Sequence, residues 1–174
     1  MTNNNKVPIV VYYDTETSIL ASDYRSSDNL HICIDEAGHF VMRNLNNEKE
    51  CNKVKLPHYN YKILKFNPIY PNQYFIGHEN SLKIYDIRNN LEIDSIEEFG
   101  NALDVFNESN KFLIVKEEGL ELYNYYNLKI EKEKEWKDFG CVSHVNLNTI
   151  NLNNPDIILV GNESGDLFHS SIDN

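Results

Sequence analysis

One pattern recurs four times along the chain, and it limits the possible folds more than any other feature. Each copy is an apolar strand, a short acidic or polar turn, and a second apolar strand. The copies occupy residues 30–42, 74–86, 112–124 and 157–169. Aligned on their last turn residues, Gly38, Ser81, Gly119 and Gly165, they are spaced by 43, 38 and 46 residues. Within each copy the apolar residues alternate with polar ones. Leu82 and Ile84 flank Lys83, and Leu120 and Leu122 flank Glu121. Alternation with period two is the signature of a half-buried antiparallel strand. A fixed spacing of this size means one supersecondary unit stacked several times.

A further strand is predicted upstream of the later hairpins. Residues 61–66, 102–106 and 142–147 each read as a strand that enters an Asn- or Pro-rich turn. The chain has only seven glycines and five prolines, so Asn, Asp and Ser must make most of the turns. Helix signals are weak; 93–103 is the nearest candidate, and Gly100 interrupts it.

The segment from Phe66-Asn67-Pro68 to Asn72, followed by Gly77 to Asp86, resembles a WD40 repeat. Tyr85-Asp86 stands where that family places Trp-Asp. Tyr123-Asn124, Phe168-His169 and Arg43-Asn44 hold the same place in the other copies, and 11–17 resembles the end of one more such strand. The sequence also departs from the family. No copy has a true Trp-Asp, Trp136 lies elsewhere in its repeat, and Gly77-His78 does not sit where the family's Gly-His pair begins a repeat. The resemblance therefore implies an all-β, WD40-like β-propeller in which the family's Asp–His–Ser/Thr–Trp network is broken in most blades.

The expected blades are 20–57, 58–99, 100–138 and 139–174, with an N-terminal strand at 7–14, all in a single domain. A WD40 ring has about seven blades, so four leave it partial. Three forms are open. One is a half-ring completed by a second copy or by a different chain. Another is a piece of a longer protein. The third is a small four-bladed ring in which 9–13 pairs beside the last hairpin. An unfilled position would leave an exposed sheet edge.

The resemblance implies a non-catalytic scaffold for protein–protein interaction, a subunit of a larger complex. Which loops form the interface is left open. The rival reading starts from Tyr13-Asp14-Thr15-Glu16-Thr17, which is similar to the first motif of the DEDD-type 3′–5′ exonucleases. In that family the Asp and Glu hold metal ions that activate water. Asp14 and Glu16 are spaced to share one strand face. The remaining acidic motifs are not found: Asp86 does not fit the second, and His169 with Asp173 is the nearest approach to the last.

Charge weighs against a nucleic-acid substrate. The chain carries 27 acidic and 16 basic residues, a formal net charge of −11, which repels phosphate backbones. The run 129–135 alternates in sign and reads as a solvated strand. His31 and His39 flank a turn and could face one another, but spacing offers no third metal ligand. Cys33, Cys51 and Cys141 read as reduced thiols. No phosphate-binding glycine loop or nucleophile motif is present, so no cofactor is implied. No apolar run reaches the length of a membrane span, and the N-terminus does not resemble a signal peptide. A cytoplasmic or nuclear location is expected. Tyr123 is expected in the core, with Tyr125 or Tyr126 exposed.

Overall fold

The computed structural model describes residues 15, 17–47, 51–57, 60–78, 81–97, 102–105, 111–116, 119–127, 129–137, 142–148, 157–162 and 164–171. Among them every regular element is a β-strand. The first sheet is β1 (Ile19–Arg25), β2 (Leu30–Asp35), β3 (His39–Asn44) and β4 (Cys51–Lys55). The second is β5 (Tyr61–Phe66), β6 (Gln73–His78), β7 (Ser81–Asp86) and β8 (Leu91–Glu97). The third is β9 (Ala102–Val105), β10 (Lys111–Lys116), β11 (Gly119–Tyr126) and β12 (Lys129–Lys137). The fourth is β13 (Val142–Asn148), β14 (Ile157–Asn162) and β15 (Leu167–Ser171). In each sheet the strands lie side by side in chain order, and every pairing is antiparallel.

Alternation explains why the sheets stack. Along β6, Tyr74 and Ile76 face the first sheet, where they pack with Ile32, Ile34 and Phe40. Phe75 faces the third sheet and packs with Phe112 and Ile114. Register extends both faces across the sheet: Tyr74 pairs with Tyr85 and Phe66, and Phe75 with Ile84 and Lys65. All six residues of β6 are buried as a result. A strand covered on both faces reads as a continuous apolar run, as Tyr74-Phe75-Ile76 does. In the third sheet Phe112, Ile114 and Tyr123 face back toward the second. Leu113, Val115, Leu120 and Leu122 are buried on the opposite face, and β13 of the fourth sheet packs beside β9 and β10.

The first strands of successive sheets adjoin one another: β1 with β5, β5 with β9, and β9 with β13. Contact therefore runs from first sheet to fourth in order. Among the described residues, the first and fourth sheets are not packed together.

The turns bear out the glycine argument. Asn29, Asn60, Asn90 and Asn127 all adopt positive φ, between 52° and 60°, the left-handed conformation that Asn tolerates better than other side-chain-bearing residues. Gly38 and Gly165 take it in two of the hairpins, at 79° and 86°. The stretch 93–103, considered for a helix, instead contributes to β8, which ends at Glu97, and to β9. The alternating-sign run 129–135 lies within β12, whose residues are mostly exposed.

Candidate interaction surface

Strand direction gives the stack two chemically different ends. One holds the connections β1–β2, β3–β4, β5–β6, β7–β8 and β11–β12. The other holds the hairpins β2–β3, β6–β7, β10–β11 and β14–β15.

The first of these ends is built mainly from Asn side chains and a few cross-sheet ties. Arg25, at the end of β1, donates to both Asp28 carboxylate oxygens at 2.9 and 2.7 Å. A third N–H donates to the Pro71 carbonyl at 2.6 Å, in the second sheet, and the guanidinium lies 4.5 Å from the Phe66 ring centroid. The Phe66 amide donates to Asp23 at 2.8 Å, a second tie between the two sheets. Asn67 folds the β5–β6 loop: its side-chain oxygen accepts from the Ile69 and Tyr70 amides at 3.0 and 3.1 Å. Tyr70 then packs edge-on against Tyr125 of the third sheet, 5.4 Å between centroids. The Tyr74 hydroxyl donates to Asn90 at 3.0 Å. These contacts hold three sheets in fixed relation at this end.

Charges in the described turns close on near neighbours. Arg25 hydrogen-bonds Asp28 and holds its carboxyl below the ordinary carboxylate range. Hydrogen bonds from the Arg88 side chain and amide lower Asp86 to about 2. Large apolar side chains near these turns are exposed: Tyr24, Leu45 and Ile69 by more than a third, and Leu91 and Tyr126 by 63% each.

The opposite end is organised by buried polar groups. Asp35 is fully buried; its carboxylate accepts from the His39 amide at 2.8 Å and lies 3.1 Å from the His39 ring. Burial pushes its pKa up, but the His39 bonds and the Thr17 hydroxyl outweigh this and leave it below the ordinary value. His78 Nε2 lies 3.0 Å from the Ser81 hydroxyl across the β6–β7 hairpin. Glu121 is buried between Lys116 of β10, at 2.8 Å, and Lys132 of β12, at 3.1 Å. It also accepts from the Tyr123 hydroxyl at 2.6 Å. Three exposed apolar residues lie toward this end: Ile19, Leu20 and Leu167.

The residues singled out from sequence fall as follows. Asp14 and Glu16 lie outside the described residues, as do Cys141 and Asp173. His31 and His39 do not face each other. Register sets His31 opposite Arg43 and His39 opposite Lys55, far apart along the hairpin, because β2 and β3 pair over their full length. His169 lies on β15. Among the described residues no three His, Cys, Asp or Glu side chains group to hold a metal. Cys33 is buried and Cys51 exposed, and neither is joined in a disulfide. Tyr123 is core and Tyr125 is 1% exposed, which leaves Tyr126 as the exposed tyrosine of its cluster.

Tyr24, Leu45, Ile69 and Leu91 were not singled out from sequence. The signal was present in two cases: Ile69 stands inside Asn67-Pro68-Ile69, and Leu91 directly follows Asn89-Asn90.

No family model and no curated protein matches the chain. Solved structures do share its fold. One is the computationally designed Ika4 protein, at 13% identity and a TM-score of 0.67; the match covers 91% of this chain and 93% of that one. Another is a chain of the mitotic checkpoint complex, at 9% identity and a TM-score of 0.72. That match covers 88% of this chain but spans only half the length of the other.

Proposed function

We propose that the four sheets are blades of a WD40-like β-propeller arc. In this reading the protein is a non-catalytic scaffold in a larger assembly, where a second copy or a different chain completes the arc. The observation that carries the reading is the stacking. The second sheet is buried on both faces between its neighbours, yet the first and fourth sheets do not meet among the described residues. Stacked repeats of this kind need a neighbour or a cap at each end. A matching chain of about twice the matched length supports the same reading. That structure is of a complex, which is compatible with a scaffold role. Protein partners suit a rigid framework whose turns present Tyr, Leu and Ile. The acidic net charge disfavours direct binding of nucleic acid.

The exonuclease resemblance implies a fold with substantial helix, and the described residues contain none. The deciding experiment is incubation of the purified chain with single-stranded DNA and Mg²⁺ or Mn²⁺. No degradation beyond that of an Asp14→Ala variant is expected. Metal-dependent cleavage abolished by Asp14→Ala would overturn the scaffold reading.

A further inference from the structure

The outer face of the first sheet is buried along its two central strands, although among the described residues no other sheet packs on it. Ile32, Ile34 and Phe40 face the second sheet, so alternation puts Cys33, Asp35, Val41 and Arg43 on the other face. Register sets Cys33 beside Val41. Asp35 is fully buried, Val41 is 1% exposed, Cys33 2% and Arg43 8%. Ile32-Cys33-Ile34 and Phe40-Val41 are also the continuous apolar runs of strands covered on both faces.

The cover is narrow. Ser22 of β1 pairs with Cys33, and Lys53 of β4 pairs with Val41. Both therefore lie on this face, and both are exposed. A whole sheet covers more: where the second and third sheets pack, Ile96 of the outer strand β8 is buried too. Two adjacent strands lie about 5 Å apart, a width that suits a single extended segment. The chain entering β1 is already tied to this face. The Thr17 hydroxyl hydrogen-bonds Asp35, the Glu36 amide donates to the Ser18 carbonyl at 2.9 Å, and Thr15 is half-buried. Just upstream stands the apolar run Val7 to Tyr13, outside the described residues. Seven extended residues reach about 23 Å, longer than the six-residue strands β2 and β3.

We propose that the segment Val7 to Tyr13 packs across the outer face of β2 and β3 and caps the first sheet from within the same chain. The burial of Cys33 and Val41 is complete in a single chain, so no partner is needed to account for it. Stacked repeats need a cap or a neighbour at each end, and this segment supplies the first of the two. On the arc reading proposed above, on which this consequence rests, a completing chain then adds at the fourth sheet and not at the first.

Cys33 reports on the cap. In a Cys51→Ser/Cys141→Ser background it is the one remaining thiol, and its rate of reaction with an aromatic disulfide reagent measures access to the face. Slow labelling is expected in this background, at a rate that dilution of the protein does not change. Deletion of residues 1–13 is expected to speed labelling by roughly tenfold or more, as local protection is lost, while circular dichroism stays that of the parent. If the shortened chain does not fold, Ile9→Asp/Val11→Asp and Val10→Asp/Tyr12→Asp replace it. Alternation sets one of these pairs against the sheet, and that variant is expected to label faster than the other. Fast labelling before any deletion overturns the proposal, because the face is then open. Slow labelling that persists in the folded deletion, or in both double variants, overturns it by assigning the cover to another part of the chain. Protection lost on dilution overturns it by assigning the cover to a second copy. The nuclease assay above decides the scaffold reading separately.

Discussion

Tyr74 lies flat against Phe40 between the first and second sheets, with ring centroids 4.7 Å apart and planes 9° from parallel. Tyr85 stacks on the other side of Tyr74, at 5.5 Å and 13°. Tyr74 thus joins the cross-strand pair of one sheet to the core of its neighbour.

Removing that ring should uncouple the two sheets. Tyr74 is fully buried, and truncating a buried aromatic typically costs about 3–5 kcal/mol. Tyr74→Ala is expected to lower the urea midpoint by that equivalent. Tyr74→Phe keeps the stack and loses only the hydrogen bond to Asn90, a cost of about 1 kcal/mol. Urea titration followed by near-ultraviolet circular dichroism separates the two. Equal losses would show that the hydroxyl, not the ring, couples the sheets.

The stack also shows which parts of the fold were legible in the sequence. The hairpins were, because each buries alternate residues and the turns carry Gly, Asn or Asp. Tyr123 was placed in the core by its position in the repeat, and it stacks on the cross-strand Phe112; Tyr85 shares that position and stacks on the cross-strand Tyr74. Sheet-to-sheet relations were not legible. Phe66 gives no sign in sequence that Arg25, forty-one residues earlier, lies over its ring, because such contacts depend on how whole sheets align. The exposed apolar turn residues were missed for a related reason. A strand pattern says which face is buried and nothing about how connections group in space.

Arg25 makes contacts that an ammonium group cannot reproduce. Its planar fork serves two Asp28 oxygens and the Pro71 carbonyl together. Arg25→Lys is therefore expected to lose most of the effect of Arg25→Ala, about 1–2 kcal/mol, since a bidentate site does not accept a point charge. A double-mutant cycle pairing Arg25→Ala with Asp28→Ala in urea isolates the ion pair from the carbonyl tie. Full recovery in Arg25→Lys would argue against the fork geometry.

Acid should loosen the third sheet through Glu121. Burial raises its pKa, but hydrogen bonds from Lys116, Tyr123 and Lys132 dominate and leave it below the ordinary value of 4.5. A carboxyl with a lowered folded-state pKa contributes stability above its unfolded value. That contribution disappears as pH falls through the folded one. The urea midpoint is thus expected to fall below about pH 4.5. In Glu121→Gln the fall should be shallower, from a lower starting point at neutral pH. An identical pH profile in the variant would remove Glu121 from the acid response.

Gly119 and Gly165 end equivalent hairpins, yet substitution should affect them differently. A Cβ on Gly119 would meet the Trp136 carbonyl oxygen at 2.0 Å. That atom is backbone of β12, paired with β11 at this point, so relief requires moving the outer strand. A Cβ on Gly165 meets nothing within 4 Å, and its only penalty is the positive φ of 86°. Gly165→Ala is expected to cost about 1–2 kcal/mol, the price of a left-handed residue with a side chain. Gly119→Ala is expected to cost more, in the range of about 1–3 kcal/mol for overpacking plus whatever pairing is lost. Amide hydrogen exchange distinguishes the mechanisms. Gly119→Ala should speed exchange along β12 near Trp136, whereas Gly165→Ala should leave β12 unchanged. Unaltered exchange at Trp136 and Lys137 in Gly119→Ala would show that the strand accommodates the methyl group without parting.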